Sequence, residues 1–352
     1  MRRLDRYILN HVLLMIALVL SVFIGIYVVF SFVGEMHNFS RNYGFLLAIL
    51  SVLFSIPANL IFILPISSLL GTLIALGNLA SHSELTAMRS VGISISRIAI
   101  SVLKAGLFIA MVSFIFSAFL GPFFAKEALL IELNSKKDRS FLLTPEATWL
   151  KDGSDFVYIG RSGGADLLRG VVKYHFEQGN LVSIISANSA TYKDGSWHLF
   201  KVKQVNLSTS GVSETETLET TWPELVPPNL LKAVSSDITN LNLVQLYRYV
   251  SYRTQNGLDA GQYELKIWQM YAQPLSILVL MLIGIPFAFG QLRSSTLGVR
   301  LVIGVGLGVG FFLIDRFFGP VTLVLSWPPF LGAFLPCFIF LGAALIFFWR
   351  LK

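Results

Sequence analysis

Apolar and polar residues alternate along this chain on two different length scales. Six long apolar runs stand at roughly 8–33, 46–77, 95–121, 265–289, 299–319 and 329–349. A helix needs about 20 residues to cross a bilayer, and each run reaches that length. The second run is longer than a bilayer requires and contains Pro57 and Pro65, so a kink or a strong tilt is predicted there. Gly284 and Pro286 predict a bend near the end of the fourth. The first run is too long for a signal-peptide core and has no small-residue cleavage site after it, so it reads as a retained span.

The segment from about 124 to 262 has a shorter period. TWLKDGSDFVYIGR, GVVKYHFEQGNLVSIISANSATY and SWHLFKVKQVNLS alternate as strands do. Asp152-Gly153, Gln178-Gly179 and Asp194-Gly195 mark turns between them. About eight short strands without helices predict an antiparallel sandwich or jelly roll with open edges. PELVPPN at 223–229 ends the strand pattern, and a helical stretch, Leu241 to Tyr252, leads back to the apolar runs. The fold class is therefore an α+β membrane protein: three spans (1–123), a β domain (124–262), then three spans (263–352).

Between the second and third spans lies LASHSELTAMRSV, Leu79 to Val91. Ser81 followed by Glu84 has the spacing of a capping box, which opens a helix. Leu85, Met88 and Val91 then recur on one apolar side, leaving His82, Glu84 and Arg89 for other faces. Two readings stay open at this point. One is a plain connector with Glu84 as its cap. The other is a docking helix that presents Glu84 and Arg89 to a soluble partner.

Composition and charge narrow the class. Of 352 residues 54% are hydrophobic and 13% charged, about half the charge of a soluble domain. The net charge of +7 does not point to nucleic acid, because the basic residues flank apolar runs instead of forming one patch. They also set an orientation. Arg2, Arg3, Arg6, Arg89, Arg97, Lys104, Arg293, Arg300, Arg350 and Lys352 all fall on one side of a six-span layout. The positive-inside rule puts that side, with both termini and the Leu79–Val91 segment, in the cytoplasm. The β domain is then expected outside. The lone cysteine, Cys337, sits in a span and allows no intrachain disulfide.

Catalytic and nucleotide motifs find no footing. GVGLGVG at 304–310 lies inside an apolar run, so Gly304/Gly308 and Gly306/Gly310 read as small-xxx-small pairs for close helix approach. No GxxxxGK[ST] loop occurs, and no GxSxG elbow. His11, His37, His82, His175 and His198 have no metal-ligand spacing. Asp315 and Arg316 at the outer end of the fifth span, and Glu35, His37 and Arg41 after the first, are either interfacial caps or polar ligand contacts.

These stretches together resemble a known family. LLGTLIALGNLASHSELTAMRSVGIS, WLKDGSDFVYI, GLDAGQYELKIWQMYAQPLSILVLMLIGIPFAFGQLRSSTLGVR and FFLIDRFFGP are similar to the lipopolysaccharide-export permeases LptF and LptG, with the LptG type nearer, over essentially the whole chain. The resemblance implies a six-span permease half with a periplasmic β-jellyroll. It implies a heterodimer with an LptF-type permease (an LptF-type seat for this chain being the alternative) and a cytoplasmic dimer of the ATPase LptB. It also implies LptC and a periplasmic LptA bridge as partners. This chain would bind no cofactor of its own; ATP and magnesium would belong to the ATPase. The SEL-containing segment is the family's coupling helix, which assigns ATPase contact to Glu84 and, around it, His82, Met88 and Arg89. Spans one and five would line a lipid cavity, with Phe32, Phe311, Phe317 and Phe318 as lining residues and His37, Arg41, Asp315 and Arg316 as polar contacts. Inward strand positions such as Val157 and Ile159 would meet lipid in the β-jellyroll. One departure stands out: SFVGEMHNFSR has Ser31, His37 and Asn38 where family members often carry lysines for lipid phosphates. A membrane-anchored receptor with an external ligand-binding domain is the reading from a different class.

Overall fold

A computed structural model of the chain describes residues 2–37, 39, 43–135, 148–162, 167–193, 196–208, 211–222, 238–289 and 296–350. It divides into a helical unit (1–39, 45–128 and 261–352) and a β unit (40–44 and 129–260).

In the helical unit, α1 is Arg2–Met36, α2 Phe45–Ser81, α3 Glu84–Ser90 and α4 Ile95–Ile115. A π-helical turn at Phe116–Leu120 joins α4 to α5, Gly121–Ser135. After the β unit come α7, Gly261–Phe289, α8, Leu297–Val324, and α9, Pro329–Arg350. Six helical stretches are long and apolar enough to cross a membrane, in register with the six predicted runs and a few residues longer at most ends. Pro57 and Pro65 stay inside α2, and Pro286 inside α7. Each proline removes one helix hydrogen bond without ending its helix, because packed neighbours hold the turn.

The centre of this unit is α2 and α7. Helix α2 packs on α1, α7 and α8, while α7 packs on α2, α4 and α9. Small residues set the spacing. A Cβ on Gly71 would lie 2.6 Å from the Ile16 backbone, so α1 and α2 touch main chain to side-chain stub. Gly304 meets Leu70 and Leu73, and Gly308 meets Ile66, so that pair seats α8 on α2 as the small-xxx-small spacing predicts. Gly306 and Gly310 have nothing within 4 Å, and their side of α8 is open.

In the β unit, β1 is Thr148–Asp152, β2 Asp155–Ser162, β3 Leu167–Glu177, β4 Asn180–Lys193, β5 Ser196–Ser208 and β6 Gly211–Trp222. They form one antiparallel sheet in sequence order. Six strands are described where turn signals predicted about eight, and β3 to β6 are longer than the short strands expected. Residues 223–229 and Asp194-Gly195, singled out above, lie outside the described residues. At Gln178-Gly179 both residues have positive φ, which is the twist a two-residue hairpin needs. One face carries Leu150, Val157, Ile159, Val171, Ala187, Leu199 and Val202 as its core around the fully buried Trp197. The sheet curls: Lys173 of β3 lies 5.4 Å from the Trp222 ring at the end of β6, although Lys173 is registered opposite Val157 and Trp222 opposite Trp197. A 3-10 turn, Ile238–Asn240, precedes α6, Leu243–Gln255. Asn242 and Gln245 cap α6 reciprocally, a capping box legible in the sequence but not read there.

Candidate functional site

The polar link between α2 and α4 is the most distinctive local structure. Helix α2 runs through Ser81, and its last carbonyls accept from the backbone N–H groups of His82 and Ser83. Ser83 has φ of 61°, the left-handed conformation that ends helices, and α3 starts at the next residue. The capping-box expectation is therefore corrected. Ser81 belongs to the end of α2, where its hydroxyl donates to the Asn78 carbonyl, and Glu84 is the first residue of α3. The helix is one turn shorter than the sequence pattern allowed, because the left-handed Ser83 breaks it off α2.

Side chains of α3 divide by face. Leu85 and Met88 are buried in one cluster with Ile8, Val12 and Ile16 of α1, Leu76 and Leu79 of α2, Ile98 and Val102 of α4, and Ile285 and Ala288 of α7. Met88 thus packs inward and is 9% exposed. Val91, expected on the same apolar side, follows the helix end and is 81% exposed. His82 donates from Nδ1 to the Asn78 carbonyl, 2.9 Å away, and stays on the surface. Glu84 accepts a 2.9 Å hydrogen bond from the Tyr7 hydroxyl of α1. Nearby, Ser101 donates to Asp5, 3.1 Å, and Arg97 stands 3.8 Å from the same carboxylate. Arg89 with Thr86 and Ser90 lines an open groove of about 340 Å³ whose floor includes Ala80, Leu85, Ala288 and Phe289. The groove, which brings the end of α7 beside α3, has no signature in the sequence.

The lipid-contact candidates separate into groups. Phe32 meets Phe39 and Phe45 edge-on. His37 is exposed at the end of α1, and Arg41 lies outside the described residues. Phe311 is buried edge-on against Phe340 of α9, so its ring is covered within the chain. Phe317 is 63% exposed and packs edge-on with Phe318. Arg316 places its guanidinium over the rings of Phe62, 4.8 Å, and Phe312, 5.3 Å. Asp315 is half-buried beside it. Among the described residues no ring contact joins the Phe32 group to the Phe317 group.

In the β unit Val157 and Ile159 are 1% and 2% exposed, inside the sheet's core. A polar cluster sits on the same face beyond them. Asp155 lies 2.5 Å from both Lys173 Nζ and His175 Nδ1, and His175 Nε2 lies 3.3 Å from Glu177. Partial burial pushes the Asp155 carboxyl up, but the hydrogen bonds and charges of Lys173 and His175 outweigh it and hold the pKa below its ordinary value. His175 is raised by its hydrogen bonds to Asp155 and Glu177, against a smaller opposing effect of burial.

Comparison with known proteins agrees across the chain. A family described as "Lipopolysaccharide export system permease LptF/LptG" matches residues 6–350. The lipopolysaccharide export system permease protein LptG of Escherichia coli K12 is 33% identical over 338 residues, 95% of this chain and 94% of that protein. The LptG of Haemophilus influenzae is 32% identical over 342 residues, 96% of each.

Proposed function

This chain belongs to the LptF/LptG family of lipopolysaccharide export permeases, and from that membership we propose that α3 is the element through which a separate cytoplasmic ATPase drives it. It is a multi-pass inner-membrane permease subunit of a lipopolysaccharide transporter. In the proposed layout both termini and α3 lie in the cytoplasm and the β unit in the periplasm. The partners are an LptF-type permease, an LptB dimer, LptC and an LptA bridge. ATP and magnesium are held by the ATPase.

Lipopolysaccharide keeps several acyl chains in the membrane. Withdrawing each methylene into water costs about 0.8 kcal/mol, so a chain of about twelve carbons costs on the order of 10 kcal/mol. Extraction therefore needs an apolar receiver at every stage and a driven step. Helices α1 and α8 offer open apolar faces, including Leu14, Leu18, Val22 and Val29 on one and Val302, Val309 and Leu313 on the other. These, with a second permease, form the receiving cavity. Rotation of α3 by the ATPase narrows it, and the curled sheet around Val157 and Ile159 receives the acyl chains next.

The observation that carries this reading is the two-sidedness of α3. Leu85 and Met88 are packed among residues of four spanning helices, and a close-packed core transmits displacement instead of absorbing it. Glu84, Arg89 and the groove occupy the remaining surface. The test is a photo-crosslinking residue at Val157 or Ile159 in the assembled complex. Lipopolysaccharide adducts that appear only during ATP turnover are expected at both positions. ATP-independent labelling, or none at either position while the ATPase cycles, refutes the route.

A further inference from the structure

Helix α2 changes character at Pro65. From Leu64 to Leu79 nearly every residue is buried, and this half is packed with α3, since Leu76 and Leu79 share a cluster with Leu85 and Met88. From Phe45 to Ile63 only Ala48, Ser51 and Val52 are buried. A proline has no N–H, so Pro65 leaves the Ile61 carbonyl without its helical donor. The Gln273 side chain of α7 donates to that carbonyl instead. Within one turn beyond Pro65, the hydroxyls of Ser67 and Ser68 are fully buried and meet no partner among the described residues.

The neighbours of this turn are irregular at the same level. The π-helical turn Phe116–Leu120 ends at Gly121, where a Cβ would lie 3.4 Å from the Ala58 backbone and 3.5 Å from the Ile61 side chain. Phe114, just before that turn, stands 5.6 Å ring to ring from Tyr271 of α7. Gln273 is itself followed by Pro274, and the Ser276 hydroxyl donates to the Gln273 carbonyl, 2.7 Å. So α2, the junction of α4 with α5, and α7 each depart from a regular helix where they meet. Prolines and π turns are where helices bend, and inside lipid a bend needs a donor for the carbonyl it frees. A backbone N–H is tied to its own helix, whereas a glutamine amide rotates about its side-chain bonds and follows a moving carbonyl.

We propose that the Ile61–Pro65 turn is a pivot and Gln273 its positioning residue: the half of α2 packed with α3 moves with α3, the far half tilts about Pro65, and the Gln273 amide keeps the Ile61 carbonyl bonded throughout. Ser67 and Ser68 supply two further donors, which the carbonyls four residues back accept as the turn changes. The far half of α2 carries α1 with it, because Asn59 donates to the Tyr27 hydroxyl, 2.7 Å, which lies 2.8 Å from the Ser55 hydroxyl. From Ile61 back to Phe45 is about 24 Å of helix, so a tilt of about 10° moves its end by about 4 Å. This rests on the permease reading above and specifies where motion of α3 becomes motion of the spans.

The test uses the complete transporter in nanodiscs and reads lipopolysaccharide released per ATP hydrolysed, with the thermal midpoint alongside. Gln273→Leu keeps the bulk and removes the donor, and it should lower both. Pro65→Ala restores the backbone N–H and straightens the turn, so it should hold or raise the midpoint and cut release per ATP severalfold. The double variant should regain the midpoint, since the alanine N–H now serves Ile61, and stay deficient in release. Spin labels at Leu46 on α2 and Phe330 on α9, both exposed, should change separation by several ångströms between the nucleotide-free and vanadate-trapped states of the wild type, and by less than half of that in Pro65→Ala. Full release by the double variant reduces Gln273 to a brace and overturns the pivot. So does wild-type release by Pro65→Ala, or a label separation that nucleotide leaves fixed in the wild type or moves equally in Pro65→Ala. Those outcomes leave the permease reading standing, whereas ATP hydrolysis without lipopolysaccharide release by the wild type overturns both. If Gln273→Leu does not fold, Pro65→Ala and the label separations still decide.

Discussion

Glu84 has two possible duties, and a pair of substitutions separates them. The carboxylate accepts from Tyr7, which is 46% exposed, so water competes for the bond. A charged hydrogen bond at such a site contributes about 0.5–1 kcal/mol to stability. If Glu84 only braces α3 against α1, Tyr7→Phe and Glu84→Ala each lose that amount, and the double variant loses no more, because both remove one interaction. If Glu84 also docks the ATPase, Glu84→Ala removes a contact buried in the complex. Truncating one side of such a hydrogen-bonded charge costs about 2–5 kcal/mol, roughly 30-fold or more in affinity. Tyr7→Phe is then expected to hold ATPase affinity within about fivefold, since about 1 kcal/mol is at stake. Titrating the ATPase onto nanodisc-embedded permease, with stimulated ATP hydrolysis as a second readout, measures both. Equal affinities for the two single variants, with a non-additive double, would refute the docking role and leave the brace.

Three further outcomes follow from packing and charge. Gly71→Ala should lower the thermal midpoint of the detergent-solubilised protein, with a cost of about 1–3 kcal/mol, because its Cβ would meet the Ile16 backbone; Gly306→Ala, with nothing within 4 Å, should leave the isolated chain unchanged. Phe311→Ala should cost about 3–5 kcal/mol by opening a cavity against Phe340, and Phe317→Ala much less, so equal midpoints would contradict the burial difference. In the β unit the raised pKa of His175 means its contribution to stability is complete below its ordinary value of 6.5 and is lost as pH rises through the folded value. The lowered pKa of Asp155 means its contribution is present above its ordinary 3.8 and is lost as pH falls through the folded value. Hydrogen exchange of β2 and β3, corrected for intrinsic rate, should therefore slow between those limits. His175→Gln should remove the loss on the alkaline side; an unchanged alkaline limb would show that the cluster does not govern that edge.

The layout of this protein was decided locally and is legible in one dimension. Apolar runs of bilayer length are a property of consecutive residues, so all six spanning helices stand where the pattern put them. Alternation with turn residues is equally local, and it placed Val157 and Ile159 on the inner face of the sheet. The motif resemblance named the family that the comparisons with LptF/LptG and LptG relatives then gave. What the pattern could not decide depended on which neighbours arrive from far along the chain. Gly304/Gly308 and Gly306/Gly310 are identical in spacing, yet only the first pair meets α2. Phe311 and Phe317 are alike in type, yet α9 covers one and leaves the other open. Ser81 has the spacing of a cap, but the left-handed turn at Ser83 gives it to α2. Glu84 finds Tyr7 across a separation that no periodicity encodes. Helix and strand formation answer to bonds and burial within a few residues, whereas contacts between elements answer to how whole faces pack, and only the folded chain selects among those.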